Sequence, residues 1–542
     1  MPVKYDILFK NGKFWTGNRA EPSANFLAIN DGRIAAIGAA GPDDTDASVV
    51  IDLANNFAMA GFIDSHTHFM EGGASIAFDL RSVRSEEEFT SRVIQRARSL
   101  SPGRWITGGN WDHQSWKSRT LPTRKLVDSI SSPVFLDRID AHMALMNGEA
   151  LRLAGISRDT PDPPGGIIER DGRGEPTGIV KDAAREMVAK LVPRKSTGER
   201  LADARAAVRH ANELGITSIH DISLESDLKV LQELKWRGEL TLRVYSILPI
   251  SDYGKLITAS VRADRHDGEN EWIRLGAVKG FADGSLGSGT AWFFQPYEDD
   301  PANTGLATDV VLSGELEKWA LAADRNRIQL AIHAIGDRAV SHVLDLFEKI
   351  ERENLSWDRR FRIEHAQHIR PEDFARLKKL GVIASVQPYH CVDDGRWALG
   401  RIGASRAAGT FAFGTLINNE VPLAFGTDWP VAPLSPLFSI RAAVTRATID
   451  GRFPDGWVPD QKISVDAALR AYTTGGAFAC FSENEKGSLE PGKFADVIVL
   501  SRNPFECRPE EIADIEILMT VVGGRIVYAA GEFSDYHDQA AT

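Results

Sequence analysis

Between about residue 60 and residue 430, short apolar runs alternate with stretches whose apolar residues recur at helical spacing. Eight runs stand out: Phe62 to His66, Thr217 to Asp221, Arg243 to Leu248, Ile273 to Phe281, Leu330 to Ala334, Arg362 to Glu364, Val382 to Gln387 and Leu423 to Thr427. Strand-like runs alternating with helices predict βα units over a parallel sheet. Eight of them is the number that closes a (β/α)₈, TIM-like barrel. Helix signals in the gaps agree: Glu199 to Leu214 is stopped by Gly215, and Pro371 opens a segment stopped by Gly381. Proline starting and glycine ending a helix is the order the backbone favours.

The pattern departs from a bare barrel in two places. The gap between the first and second runs is far longer than a βα loop, so residues from about 75 to 200 are expected to form an insertion over the barrel mouth. Both chain ends read instead as short strands between turns. Asp6 to Phe9 precedes Asn11-Gly12, Phe26 to Ile29 precedes Asp31-Gly32, and Ile34 to Ile37 follows. Asn-Gly and Asp-Gly tolerate positive φ and are read as tight hairpins. Ala495 to Leu500, Ile517 to Val522, Gly523-Gly524 and Arg525 to Tyr528 repeat the texture. Residues 1–60 and 485–542 are therefore expected to build one small β-sandwich-like domain, with 61–484 forming the barrel.

Composition narrows the function classes. A chain of 542 residues holds a large barrel domain and a smaller one without difficulty. Its formal charge of −12, from 63 basic and 75 acidic residues with no Lys/Arg run, argues against nucleic acid as a partner. Cys391, Cys480 and Cys507 are far apart and form no CxxC pair, so they read as reduced thiols, not as a disulfide framework or a thiolate zinc site. The N-terminus shows no signal-peptide core, and no apolar run approaches the roughly 20 residues that span a bilayer. A cytoplasmic enzyme without a membrane partner is the expectation.

Candidate chemistry sits where a barrel keeps it. His66, His68, Lys279, His333, His365 and Asp428 lie at or just beyond the C-terminal ends of runs one, four, five, six and eight, which is the catalytic face. In Asp64-Ser65-His66-Thr67-His68 the period of two puts both imidazoles on one side of an extended chain, where they can share a metal. An HxH triplet alone says little. Four further ligand-type residues arriving in order at strand ends give it weight.

At this point the sequence resembles the amidohydrolase superfamily, specifically its amidohydrolase-3 (YtcJ-like) branch. Matching segments span nearly the whole chain: Gly61 to His68, Trp111-Asp112 with Trp116, Asp140 to His142, Val278 to Ala291, Ile332 to Arg338, Ile363 to Ala366, Gly426 to Pro430 and Gly487 to Leu500. The resemblance implies that His66, His68 and Asp428 hold one divalent metal, that His333 and His365 hold a second, and that Lys279 bridges them as a carbamate. Zinc is the ion expected, with one or two bound. A carboxylated lysine makes physical sense because a free ammonium is repelled by cations and has no lone pair to give. A salt bridge from Lys279 to Asp283 is the plain alternative. With metal in place, a bound water becomes hydroxide near neutral pH, and Asp428 is the catalytic residue that takes its proton and hands it to the leaving amine.

Other residues are less defined. Trp111 and Trp292 are the candidate substrate-binding residues of an aromatic pocket, although any Trp is more often core. Asp112, His113 and His142 reach the mouth or stay structural, Asp337 is a candidate for orienting a ligand, and His220-Asp221 is equally well a structural pair. Gly289 stands where relatives often carry Arg. The function that follows is hydrolysis of a non-peptide C–N bond in a small molecule: an amide, an N-acyl amine or a cyclic amide. Hydrolytic deamination of a heterocycle is the alternative, disfavoured by Lys279. A catalytically silent regulatory protein on the same barrel is the third reading, disfavoured by the intact ligand set. A homodimer is the assembly to test for.

Overall fold

The computed structural model describes residues 5–193, 195–264 and 271–536. Its centre is a sheet of eight parallel strands. In chain order these are β1 (Phe62–Thr67), β2 (Ile216–Ile222), β3 (Arg243–Pro249), β4 (Ile273–Phe281), β5 (Gln329–Ala334), β6 (Arg362–His365), β7 (Ile383–Val386) and β8 (Leu423–Phe425). Each run predicted from the sequence is one of these strands, with ends shifted by a residue or two. β1, β5, β6 and β7 are buried at every position. A strand covered by helices outside and by side chains within the barrel has no exposed face, which is why the runs are so continuously apolar.

The ring closes just past the ends of β1 and β8. There the Asp428 N–H donates to the His66 carbonyl at 2.7 Å, and the His68 N–H donates to the Trp429 carbonyl at 2.8 Å. Closure thus carries Asp428 to the His66-Thr67-His68 segment. Around the barrel, the helix Thr197–Glu213 opens with a reciprocal cap between Ser196 and Glu199, and Asp337–Glu353 buries Val340, Val343, Leu344, Phe347 and Ile350 on one face.

The segment between β1 and the helix Thr197–Glu213 carries its own sheet. Strands Gly166–Arg170, Pro176–Asp182, Met143–Met146, Val134–Arg138 and Ile106–Trp111 lie side by side in that order. Phe89, Trp111, Trp116, Leu136 and Leu145 pack as part of its core.

Strands from both chain ends share a third sheet, in which Val497–Leu500 pairs antiparallel with Phe57–Ala60. A fourth sheet is built from Tyr5–Lys10, Phe26–Asn30, Arg33–Gly38 and Ala47–Asp52. Phe9, Phe14, Ile51, Val497 and Met519 meet in one core between them. Asp31-Gly32 closes a hairpin, with φ of 49° and 72°, as does Gly523-Gly524, with φ of 55° and 76°. Asn11-Gly12, expected to be a hairpin, is not one. The chain crosses there between sheets: Tyr5–Lys10 pairs with Phe26–Asn30 and Ala47–Asp52, while Lys13–Trp15 pairs with Phe57–Ala60. Asn11 adopts φ 54°, so the dipeptide's tolerance of positive φ serves a change of sheet instead of a reversal.

Among the described residues no helix is long and apolar enough to cross a membrane. All three cysteines are free thiols, Cys391 and Cys480 buried and Cys507 half-buried.

Candidate metal centre

The strand ends bring five imidazoles, one lysine and one carboxylate to a single mouth. His66 and His68 come from β1, Lys279 from β4, His333 from β5, His365 from β6, His390 from the turn of helix after β7, and Asp428 from the segment after β8. Asp428 Oδ1 lies 3.4 Å from His66 Nε2 and 3.3 Å from His68 Nε2, while its Oδ2 faces His390 Nε2 at 3.8 Å. Two groups result whose nitrogen and oxygen atoms all lie within 4.8 Å of one another: His66, His68 and Asp428, and His365, His390 and Asp428.

Three of the rings have their outward nitrogen fixed. His66 Nδ1 sits 2.5 Å from Glu364 Oε2, His365 Nδ1 sits 2.8 Å from Gln387 Oε1, and His333 Nε2 sits 3.0 Å from the Gly284 carbonyl. Each of those oxygens accepts, so each of those nitrogens donates, and the opposite ring nitrogen is left with a bare lone pair. Glu364 is held in turn by Arg362, whose Nε lies 2.7 Å from Oε1. Burial would raise the carboxyl, but Arg362, His66 and Lys279 together outweigh it, so Glu364 stays ionised well below the usual carboxylate range. This is the arrangement that orients metal-binding histidines.

Electrostatics keep the rings neutral. Burial, reinforced by the Lys279 ammonium, lowers His66 to about 4. Burial likewise lowers His333 and His390, and pushes His365 far down. His68 differs: burial would lower it, but its hydrogen bond with Asp428 raises it. Burial also works against ionisation of Asp428, yet the surrounding imidazoles hold its carboxyl well below the ordinary value. Lys279, buried on all sides, falls to about 8.

The donor set fits a cation. His66 Nε2 and Asp428 Oδ1 are both acceptors facing each other, and the buried His390 Nε2 has no hydrogen-bond partner. Lys279 Nζ reaches His66 Nε2 at 3.4 Å, and the imidazole nitrogens gathered with a carboxylate are a donor set that suits zinc and its neighbours.

The structure sorts the residues expected from sequence. His66, His68 and Asp428 converge as one group. His365 joins Asp428 through His390, while His333 lies in neither group, although its ring centroid is 4.5 Å from that of His365. Lys279 Nζ has His66 Nε2 at 3.4 Å and does not pair with Asp283, whose carboxylate accepts the N–H groups of Trp292, Ile335 and Gly336. Trp111 is fully buried in the insertion's core, donating to the Leu136 carbonyl. Trp292 lies under the Arg338 guanidinium, and neither Trp lines the cavity. Asp337 caps the Phe294 N–H and does not orient His333. His220 accepts from Arg362, and Asp221 accepts from the Phe69 N–H, so both are structural. Gly289 adopts φ 73°, and a Cβ there would lie 2.7 Å from the Arg401 guanidinium, which occupies the space of a side chain at that position.

Sequence reasoning missed His390 and Glu364. The apolar run of the seventh strand ends at Gln387, three residues short of His390. Glu364 stood inside a quoted motif, but a strand glutamate beside an arginine carries no mark of which ring it holds.

The cavity over these residues measures about 520 Å³. The barrel lines it with Lys279, His333, His365 and Asp428, and the insertion adds Asp112, Arg138, Asp140, His142 and Asp182. Arg138 is buried between Asp112 at 3.1 Å and Asp140 at 2.7 Å, and Asp140 accepts from Ser285 and Ser288 of the loop after β4. The wall joins these paired charges to apolar and aromatic side chains, among them Phe281, Trp319 and Trp397, so its aromatic residues are not the Trp111 and Trp292 expected.

The profile of the amidohydrolase family matches residues 49–528. "Protein LONG AFTER FAR-RED 3" of Arabidopsis thaliana is 37% identical, covering 96% of this chain and 91% of its own length. The N-substituted formamide deformylase of Arthrobacter pascens is 27% identical, covering 96% and 98%. The crystal structure of a metal-dependent hydrolase from Pyrococcus horikoshii OT3 superposes with a TM-score of 0.75 at 30% identity, covering 93% of this chain and 99% of that one.

Proposed function

Because the chain belongs to the amidohydrolase family, we propose that it hydrolyses a non-peptide C–N bond of a small amide, N-acyl amine or cyclic amide. The single observation that carries the reading is the convergence of His66, His68 and Asp428, with the His66 Nε2 lone pair turned towards Asp428, at the C-terminal mouth of the barrel. The deformylase from Arthrobacter pascens, whose substrates are formamides, supports the bond type.

His66, His68 and Asp428 would hold one divalent ion, zinc by donor type, and His333 and His365 would hold a second, with Lys279 between them as its carbamate. Such ions supply Lewis acidity, lowering the pKa of a coordinated water and polarising a carbonyl. Asp428, ionised and within reach of the mouth, takes the proton of the attacking water and returns it to the departing nitrogen. Glu364, Gln387 and the Gly284 carbonyl hold the rings so that these atoms do not wander. Lys279 is suited to carboxylation because burial leaves part of its amine uncharged near neutral pH. The free thiols accord with work in a reducing cytoplasm.

The test is a panel of N-formyl, N-acetyl and cyclic amides, with released amine or acid measured before chelation, after it and after zinc is returned. Metal-dependent amide turnover is expected. Ammonia release from amino-heterocycles with no amide hydrolysis would overturn the proposal.

A further inference from the structure

The insertion delivers one histidine to the mouth that the account above leaves without a task. His142 lines the cavity with Lys279, His333 and Asp428, and its ring centroid lies 5.3 Å from that of His333. Its Nδ1 is 2.7 Å from Asp182 Oδ1. The two residues face each other where two antiparallel strands of the insertion end: Met143 pairs with Lys181, and the Asp182 N–H donates to the His142 carbonyl at 2.9 Å. Among the described residues nothing pairs with His142 Nε2, the nitrogen left to the cavity.

Asp182 gives up ordinary stabilisation to hold this position. It stands just before the helix Ala183–Ala189, where an aspartate usually accepts a backbone N–H of the first turn, yet its side chain makes no such bond. Its backbone sits at φ 46°, ψ −120°, a strained conformation for a residue with a Cβ. The loop after β4 fits closely around the pair, since a Cβ on Gly284 would meet Asp182 Oδ1 at 3.0 Å, and the Gly284 carbonyl is the acceptor that fixes His333. A forfeited cap and a strained backbone beside a cavity mark a functional constraint more readily than a packing one.

We propose that His142 is a catalytic residue contributed by the insertion, forming a hydrogen bond between its Nε2 and the scissile amide group, with Asp182 as the positioning residue that fixes its ring. The inference rests on the amide-hydrolase reading of the site. It gives the insertion a chemical role in addition to covering the mouth. Asp428 contacts His66, His68 and His390, whereas His142 contacts Asp182 and His333, so substrate is gripped from two sides.

The experiment compares the zinc-loaded wild type with His142→Phe, His142→Asn, Asp182→Asn and the double variant His142→Phe/Asp182→Asn, on whichever amide of the panel the wild type cleaves. Metal content and melting temperature are measured for each. For His142→Phe, kcat should fall by about 10²- to 10⁴-fold, the loss typical when a side chain that exchanges a hydrogen bond or proton with the reacting group is removed, with bound metal unchanged. His142→Asn serves if the Phe variant does not fold. Asp182→Asn should lower kcat in the wild-type background and have no further effect in His142→Phe, because it acts only through the ring. Near-native kcat in both His142 variants would overturn the proposal, as would additive losses in the double variant. A wild type inactive on every amide would overturn the underlying reading first, and this inference with it.

Discussion

His66 Nδ1 and Glu364 Oε2 lie 2.5 Å apart in the interior of the barrel, both side chains wholly buried. The pair ties His66 on β1 to the Arg362–Glu364 ion pair on β6, where Arg362, His66 and Lys279 together keep Glu364 charged against its burial. Replacing Glu364 with Gln keeps the shape and removes the charge. Zinc affinity, measured by competition with a chromogenic chelator, should fall by about 10- to 100-fold, as when partners that orient metal-bound histidines are lost. Unchanged affinity would mean that the contact does not orient His66.

Asp428→Asn tests proton transfer. An amide cannot take the water's proton, so kcat should fall by about 10²- to 10⁴-fold while the fold persists. Zinc content has to be measured alongside, since Asp428 is also a metal ligand in this account. Near-native kcat with full metal would pass the proton-handling role to another group at the mouth.

Lys279 gives a pH dependence with a definite sign. Burial depresses it from 10.5 to about 8. The amine is therefore mostly charged below that pH and mostly neutral above it, and only the neutral amine attacks carbon dioxide. Reconstitution of metal-free protein with zinc at a fixed concentration of dissolved carbon dioxide should thus quicken roughly tenfold per unit as pH rises towards 8, then level off, following the neutral fraction. A rate that falls with rising pH would contradict the carbamate.

Gly72 bears on stability. It lies under the Trp429 indole, and a Cβ there would come within 2.1 Å of the ring, next to Asp428 in the chain. Gly72→Ala should destabilise the protein by about 1–3 kcal/mol, typical of overpacking a tight core. Chemical denaturation measures the loss, and an undiminished midpoint would show that Trp429 yields freely.

The barrel was legible because a strand covered on both faces must be apolar throughout, so β1 to β8 stand out from the amphipathic helices between them. His66, His68, Lys279, His333, His365 and Asp428 were legible because a barrel carries its chemistry at strand ends. What escaped depends on three-dimensional neighbours. His390 sits in a helical turn beyond β7, with no spacing to tie it to Asp428. Trp111 looked like a pocket residue by its aromatic type, but strand alternation turns the indole into the insertion's core while Asp112 faces Arg138 and the cavity. Asn11-Gly12 announced a turn correctly and a hairpin wrongly, since the dipeptide reports positive φ and not which strands pair.

The central claim is that His66, His68 and Asp428 form a metal centre, and anomalous diffraction at the zinc edge from crystals grown with zinc tests it most directly. The account predicts a peak among these three side chains, with ligand nitrogens about 2.1 Å from the ion. A fully ordered site with no peak there, or with the His66 and His68 rings turned away from one another, would contradict it.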